Sequence, residues 1–263
     1  DGHLLYFSTG NLAEDEDEPA GNSDSVLQVD PDTLAVQAKT RFYPESIAWA
    51  QDFDLDLGSS RVIVIPRTPF AIAGSKFGDV FVLNRGGMIV ESRRQVASRH
   101  SAGIDWTGIY NGMAYWNGTL YAWPGGGGFL YGEDPGYPTD TLKAYALATD
   151  TPELAPLADG QSDGVGAGYQ GANIVISANG SDPESGILWA VVPASNTKRL
   201  QTGYLHAYRA ADFASGAFLE IWNNLADETY FAKFNQPLIA NGKVFLPTFS
   251  AEVVVYGLKS DPL

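Results

Sequence analysis

Three aspartates alternate along Asp52-Phe53-Asp54-Leu55-Asp56, and Lys76 follows in Ser75-Lys76-Phe77-Gly78. Carboxylate oxygens spaced this way on a loop are hard donors of the kind calcium takes, so Asp52 and Asp54 are candidate metal ligands. The EF-hand pattern is not met, because its Gly at position six and Glu at position twelve are replaced by Leu57 and Ile63. A solvated acidic loop accounts for the same residues without a metal.

Other matches carry less chemistry. Gly160-Gln161-Ser162-Asp163-Gly164 has the letters of a nucleophile elbow, but no strand leads into it and no helix pattern follows. Gly166-Ala167-Gly168-Tyr169-Gln170-Gly171 fits the dinucleotide fingerprint, yet a strand pattern follows where a helix N-terminus is required. His3, His100 and His206 lack metal-ligand spacing. Trp106, Tyr110, Trp116, Tyr121 and Trp123 are dense enough to stack on a sugar, although aromatics at strand spacing more often fill a core.

The elements that must position these residues are strands. A Gly, a variable residue, an aliphatic and an aromatic recur as Gly78-Asp79-Val80-Phe81, Gly118-Thr119-Leu120-Tyr121, Gly186-Ile187-Leu188-Trp189 and Gly242-Lys243-Val244-Phe245. A second apolar run follows in several units, for example Leu205-His206-Ala207-Tyr208 and Val253-Val254-Val255-Tyr256. A strand-turn-strand theme repeated at about 40–60 residues is the mark of propeller blades. Helical periodicity is nearly absent, while 29 Gly and 15 Pro punctuate the 263 residues. The expected fold is therefore all-β: a β-propeller of four-stranded antiparallel blades, a single domain over residues 1–263 with about five units.

The units run in order. Strands are expected at residues 4–9, 25–29 and 36–43, then at 61–66, 70–73, 79–84 and 93–98. A third unit is expected to close at 142–148, with residues 149–170 as a linker. Residues 173–178, 187–192, 204–209 and 218–222 form the fourth. Residues 233–240, 243–247 and 253–258 supply three strands of a fifth unit that lacks its outer strand.

Charge narrows the partners. With 16 Lys and Arg against 31 Asp and Glu the net charge is −15. Phosphate contacts need clustered basic residues, so nucleic acid is excluded, and docking on anionic lipid is disfavoured. No run is long enough to span a membrane as a helix. There is no cysteine, which excludes disulfides and thiolate metal sites. A periplasmic or extracellular location is expected.

Several stretches resemble the pyrroloquinoline-quinone-type propellers, the quinoprotein alcohol dehydrogenases and their non-enzymatic relatives. Tyr204-Leu205-His206-Ala207-Tyr208-Arg209-Ala210-Ala211-Asp212, with Ser215-Gly216 and Trp222, looks like the family's docking motif, in which an aromatic of one blade packs on the next. Ile176-Ser177-Ala178-Asn179-Gly180 and Ala240-Asn241-Gly242-Lys243-Val244-Phe245 are similar to its C-terminal half. The resemblance implies roles. Thr9-Gly10-Asn11 would give Asn11 as a calcium ligand, Asp54 would be the base that takes the alcohol proton, and Lys76 would hold the quinone carbonyls.

The cofactors implied are pyrroloquinoline quinone and calcium. The family's vicinal cysteine pair and its calcium-ligating Glu from the N-terminal half have no counterpart here, which favours a chain that binds none. The function expected of this chain alone is a non-catalytic binding or assembly module, the alternative being part of a quinone- and calcium-dependent alcohol dehydrogenase. The family usually has more blades than are counted here. The chain is thus expected to be the C-terminal part of a longer propeller, partnered by an N-terminal half or by a second copy through its open blade edges. Alternatively it is a small ring in which residues 4–9 supply the missing outer strand.

Overall fold

The computed structural model describes residues 3–11, 21–41, 55–97, 108–125, 140–159, 166–168, 170–194, 200–211, 216–227 and 229–258. These form five antiparallel sheets in which strands adjacent in sequence are adjacent in space. The first blade holds β1 (Leu5–Ser8), β2 (Ser25–Val29) and β3 (Val36–Arg41); the second holds β4 (Val62–Val64), β5 (Phe70–Gly74), β6 (Asp79–Asn84) and β7 (Ile89–Gln95). The third comprises β8 (Met113–Trp116), β9 (Thr119–Ala122), β10 (Lys143–Leu147) and β11 (Leu154–Asp159). The fourth comprises β12 (Asn173–Ser177), β13 (Ile187–Pro193), β14 (Thr202–Arg209) and β15 (Glu220–Asn223), with the short β16 (Thr229–Tyr230) also on β14. The last blade is β17 (Leu238–Ala240), β18 (Lys243–Pro247) and β19 (Val253–Gly257). First strands of neighbouring blades meet, β1 with β4 and β8 with β12, which puts the first strands at the centre. This is a β-propeller.

Local chemistry explains the recurring Gly. Asn117 and Gly118 have φ of 46° and 81°, and Asn241 and Gly242 have 50° and 68°. Each pair forms a two-residue loop between paired residues, Trp116 with Thr119 and Ala240 with Lys243. Positive φ at both central residues is the type I′ hairpin, whose twist matches the strands it joins and which favours Asn-Gly.

The apolar cores lie between blades, as alternation along each strand requires. Val26, Leu57, Phe81 and Leu83 form the seam of the first and second blades, and Ile72, Val80, Met113 and Leu120 that of the second and third. Tyr121, Ile174, Leu188 and Tyr208 join the third to the fourth, and Val191, Leu205, Val244 and Leu246 join the fourth to the fifth. Among the described residues no such cluster joins the fifth blade to the first. The face of the last blade away from the fourth leaves Leu238, Val253 and Val255 at 63%, 59% and 48% exposure. Leu5 and Phe7 of β1 are likewise exposed.

Three expectations change. Residues 149–170 are not simply a linker: Leu154–Asp159 pairs with β10 as the outer strand of the third blade. Its Pro156 sits at the register shift between Ala144 and Tyr145, on an edge strand, where a residue lacking an N–H is tolerated. Residues 4–9 do not complete the last blade, because β1 pairs with β2. Residues 61–66 contain only a three-residue strand, partly exposed although Val62 and Ile63 pack against the seams on its two sides.

Candidate functional site

The Leu-Asp-Leu sequence at 55–57 explains how one carboxylate reaches the centre. Leu55 and Leu57 are 2% and 1% exposed and anchor the loop, while Asp56 between them lines the central cleft. Lys76, in the turn between β5 and β6, donates from Nζ to Asp56 Oδ2 at 2.5 Å, and its backbone N–H bonds the Asp56 carbonyl at 3.3 Å. Both side chains are only 14% exposed. At that burial the pair is screened less than a surface pair, and each group neutralises the other.

Two glycines permit the close approaches that build this corner. A Cβ on Gly58 would lie 2.7 Å from the Gly10 nitrogen, and one on Gly108 would lie 2.7 Å from Lys76 Cα. The first brings the segment after β1 against the Asp56 loop. The second brings the approach to β8 against Lys76, where the Ile109 N–H also bonds the Ser75 carbonyl at 2.9 Å.

These segments wall a cleft of about 690 Å³ at the centre of the blades. Tyr6, Phe7, Arg61, Tyr110, Asn111 and Phe234 line it together with the Asp56–Lys76 pair. Arg61 donates from Nε and Nη2 to Asn111 Oδ1, at 3.2 and 3.0 Å, and from Nη2 to the Asn111 carbonyl at 3.3 Å. Asn111 in turn donates from Nδ2 to the Phe234 carbonyl at 3.0 Å, tying the second and third blades to the approach to the fifth. Burial pulls the Arg61 pKa below its ordinary value. A second hollow of about 580 Å³ lies between the fourth and fifth blades, with Thr202, Asp227, Tyr230, Glu252 and Tyr256 in its walls.

Of the residues expected from sequence, Lys76 is in the cleft wall, and Asn11 follows Gly10, whose added Cβ would come 3.9 Å from Asp56 Cγ. Asp52 and Asp54 lie outside the described residues, as does Trp106. The carboxylate beside Lys76 is Asp56, which spacing alone did not single out. Tyr110, Tyr121 and Trp123 are 3%, 1% and 1% exposed, so these aromatics are core and not a sugar platform. Among the described residues no three His, Cys, Asp or Glu side chains gather as a metal-binding group. The loop at 166–171 contains a bridge from Ala167 to Asp140 and leads into β12, not into a helix. The Ser162 stretch is outside the described residues.

The open edge is a second feature of interest. β19 holds the third-strand position of its blade, whereas the second, third and fourth blades each extend to a fourth. Its sequence, Val253-Val254-Val255-Tyr256-Gly257, has neither charge nor proline. The outermost strands of the other blades all carry charge: Lys39 and Arg41 on β3, Glu91, Arg93 and Arg94 on β7, Asp159 on β11 and Glu220 on β15.

No protein-family model and no curated protein matches the sequence. Solved structures similar to it include propellers. BamB from Moraxella catarrhalis aligns at 12% identity with a TM-score of 0.47, over 96% of this chain and 61% of that one. The β-propeller domain of Cps50 (Swd1) from Myceliophteria thermophila aligns at 9% identity and a TM-score of 0.42, over 89% and 78%. The computationally designed Ika4 protein aligns at 10% and 0.41, over 76% and 91%. The chain thus spans about three-fifths of the BamB structure. The likeness is one of fold.

Proposed function

We propose that this chain is a non-catalytic, quinoprotein-like propeller serving as a binding and assembly module, with β19 as its contact element. The observation that carries this reading is the uncharged edge strand of the three-stranded last blade. An open row of N–H and C=O groups is a template for another strand, and soluble proteins ordinarily blunt such edges with charge or proline. β19 alone among the five outermost strands does neither. The occupant is the β19 of a second copy. Antiparallel pairing across a twofold axis sets valines and a tyrosine opposite one another with no like charges to oppose the contact. A periplasmic or extracellular location belongs to the same proposal.

Sedimentation velocity over about 5–200 µM tests it. The wild type is expected to dimerise within that range, and Val255→Lys, on an exposed position of β19, to remain monomeric with unchanged circular dichroism. A wild type that stays monomeric throughout, or a variant that dimerises equally well, overturns the assignment.

One arrangement favours the second reading, a part of a quinone- and calcium-dependent alcohol dehydrogenase. The Gly10-Asn11 segment, a carboxylate and Lys76 do come together, with Asp56 as the carboxylate seen. The Asn11 amide and the Asp52 and Asp54 carboxylates are oxygen donors suited to calcium, and Lys76 would hold the quinone. When bound, the quinone would accept the reducing equivalents of the alcohol, with calcium as Lewis acid. Asp56 or Asp54 would take the alcohol proton. Adding quinone and calcium should then shift the visible absorption and support dye reduction by alcohols. No spectral change, even with an N-terminal half supplied, removes this reading.

A further inference from the structure

The cleft holds two cations in different situations. Lys76 is neutralised by Asp56 at 2.5 Å. Arg61 has hydrogen bonds only to Asn111, an uncharged partner, and no carboxylate pairs with it among the described residues. Those bonds use Nε and Nη2, and Nη1 makes no hydrogen bond to an acceptor among the described residues of this cleft-lining arginine. The setting makes this unusual. The chain has 31 acidic residues against 16 basic, so a half-buried guanidinium would find a carboxylate easily if charge balance in the fold were its role. Three contacts to one asparagine, itself held by the Phe234 carbonyl, fix the guanidinium plane in advance. A donor oriented before binding loses less entropy when it captures a ligand.

The surfaces beside it are apolar. Phe7 and Phe234, 43% and 54% exposed, face the same cleft. A guanidinium edge next to exposed aromatic carbon suits a ligand that is anionic at one end and apolar at the other. With Nε and Nη2 engaged by Asn111, the Nη1 N–H groups of a permanently charged guanidinium remain to donate to a carboxylate oxygen.

We propose that Arg61 anchors a binding site for a small carboxylic acid with an apolar body, the carboxylate on the free Nη1 edge and the body against Phe7 and Phe234. The site requires neither a metal nor a quinone. It is independent of strand addition at β19, so either can fail without the other.

The probe is benzoate, titrated into the full chain by calorimetry, with benzamide as its neutral isostere and inorganic phosphate as an anion lacking an apolar body. Benzoate is expected to bind at least about tenfold more tightly than benzamide, the usual margin for a charge-assisted hydrogen bond. Phosphate is expected to compete poorly. Arg61→Gln should bring benzoate down to the level of benzamide, and Arg61→Lys, which keeps charge but loses the plane fixed by Asn111, should fall between. The isostere comparison uses the wild type alone, so it decides the matter even if Arg61→Gln does not fold. Equal binding of benzoate and benzamide, no binding of either up to about 10 mM, or phosphate binding as tightly as benzoate each overturns the proposal.

Discussion

Lys143 is the buried cation whose removal should be felt most. On β10 of the third blade it donates from Nζ to Asp140 Oδ1 at 2.6 Å and to the Val96 carbonyl at 2.7 Å. The side chains of Lys143 and Asp140 are 7% and 3% exposed. One ammonium therefore satisfies a buried carboxylate in its own blade and an orphan carbonyl just past β7 of the blade before. Lys143→Met keeps most of the stem volume and strips both acceptors. Leaving one member of a buried pair uncompensated costs about 3–5 kcal/mol. The Thr141 N–H still reaches Asp140 Oδ1 at 2.8 Å, which favours the lower end. For a chain of this size about 3 kcal/mol lowers the melting temperature by roughly 6–12 °C. Adding Asp140→Asn removes the stranded charge and should recover about half of the loss. Differential scanning calorimetry of wild type, single and double variants at pH 7 measures all three. If Lys143→Met lies within about 1 kcal/mol of wild type, or the double variant is less stable than the single, the pair is not a buried electrostatic staple.

Two further outcomes follow from the packing. Burial raises the Tyr121 pKa, and its hydroxyl donates to the Ala210 carbonyl across the third and fourth blades. The folded state holds the phenol neutral, so its contribution is full below the unfolded value of about 10 and is lost as pH rises above it. Tyr121→Phe should lose about 1 kcal/mol at pH 7, and its difference from wild type should shrink between pH 10 and 11 in urea titrations. Trp222 stands edge-on to Tyr256 at 5.2 Å and to Trp189 at 6.3 Å, clamping the last blade to the fourth. Trp222→Ala should cost about 1–3 kcal/mol, and should speed hydrogen exchange in β17–β19 before it affects β5 or β6.

The blade pattern was legible because its signals are local. Asn117-Gly118 and Asn241-Gly242 specify turns whose φ values are positive at both residues, and a turn needs no distant partner. The three-stranded last blade was readable for the same reason, whereas the contact of Trp222 with the next blade was implied only by the family resemblance. Leu154–Asp159 was obscured by Pro156 and by neighbours rich in Pro, Gly and Asp, which mask an edge strand whose pairing with β10 is settled by register. At the cleft, Lys76 was legible and its carboxylate partner was not. Spacing in the chain cannot say which aspartate of an alternating run faces inward; the burial of Leu55 and Leu57 does. Arg61 gave no signal, because its distinction lies in what fails to pair with it.

The bond from Asn111 to the Phe234 carbonyl joins residues 123 positions apart. Most hairpin contacts close within a blade and can form while the chain is still emerging. This one cannot, because residue 234 is made long after Arg61 has packed beside Asn111. Long-range contacts of this kind form late, after their loop entropy has been met by the blades between them. The Asn111 clamp on Arg61 is therefore expected to be complete only once residue 234 is in place. A truncation before residue 234 is expected to keep the early blades and lose the ordered cleft, so ligand binding there would report the arrival of residue 234 more sharply than strand content does.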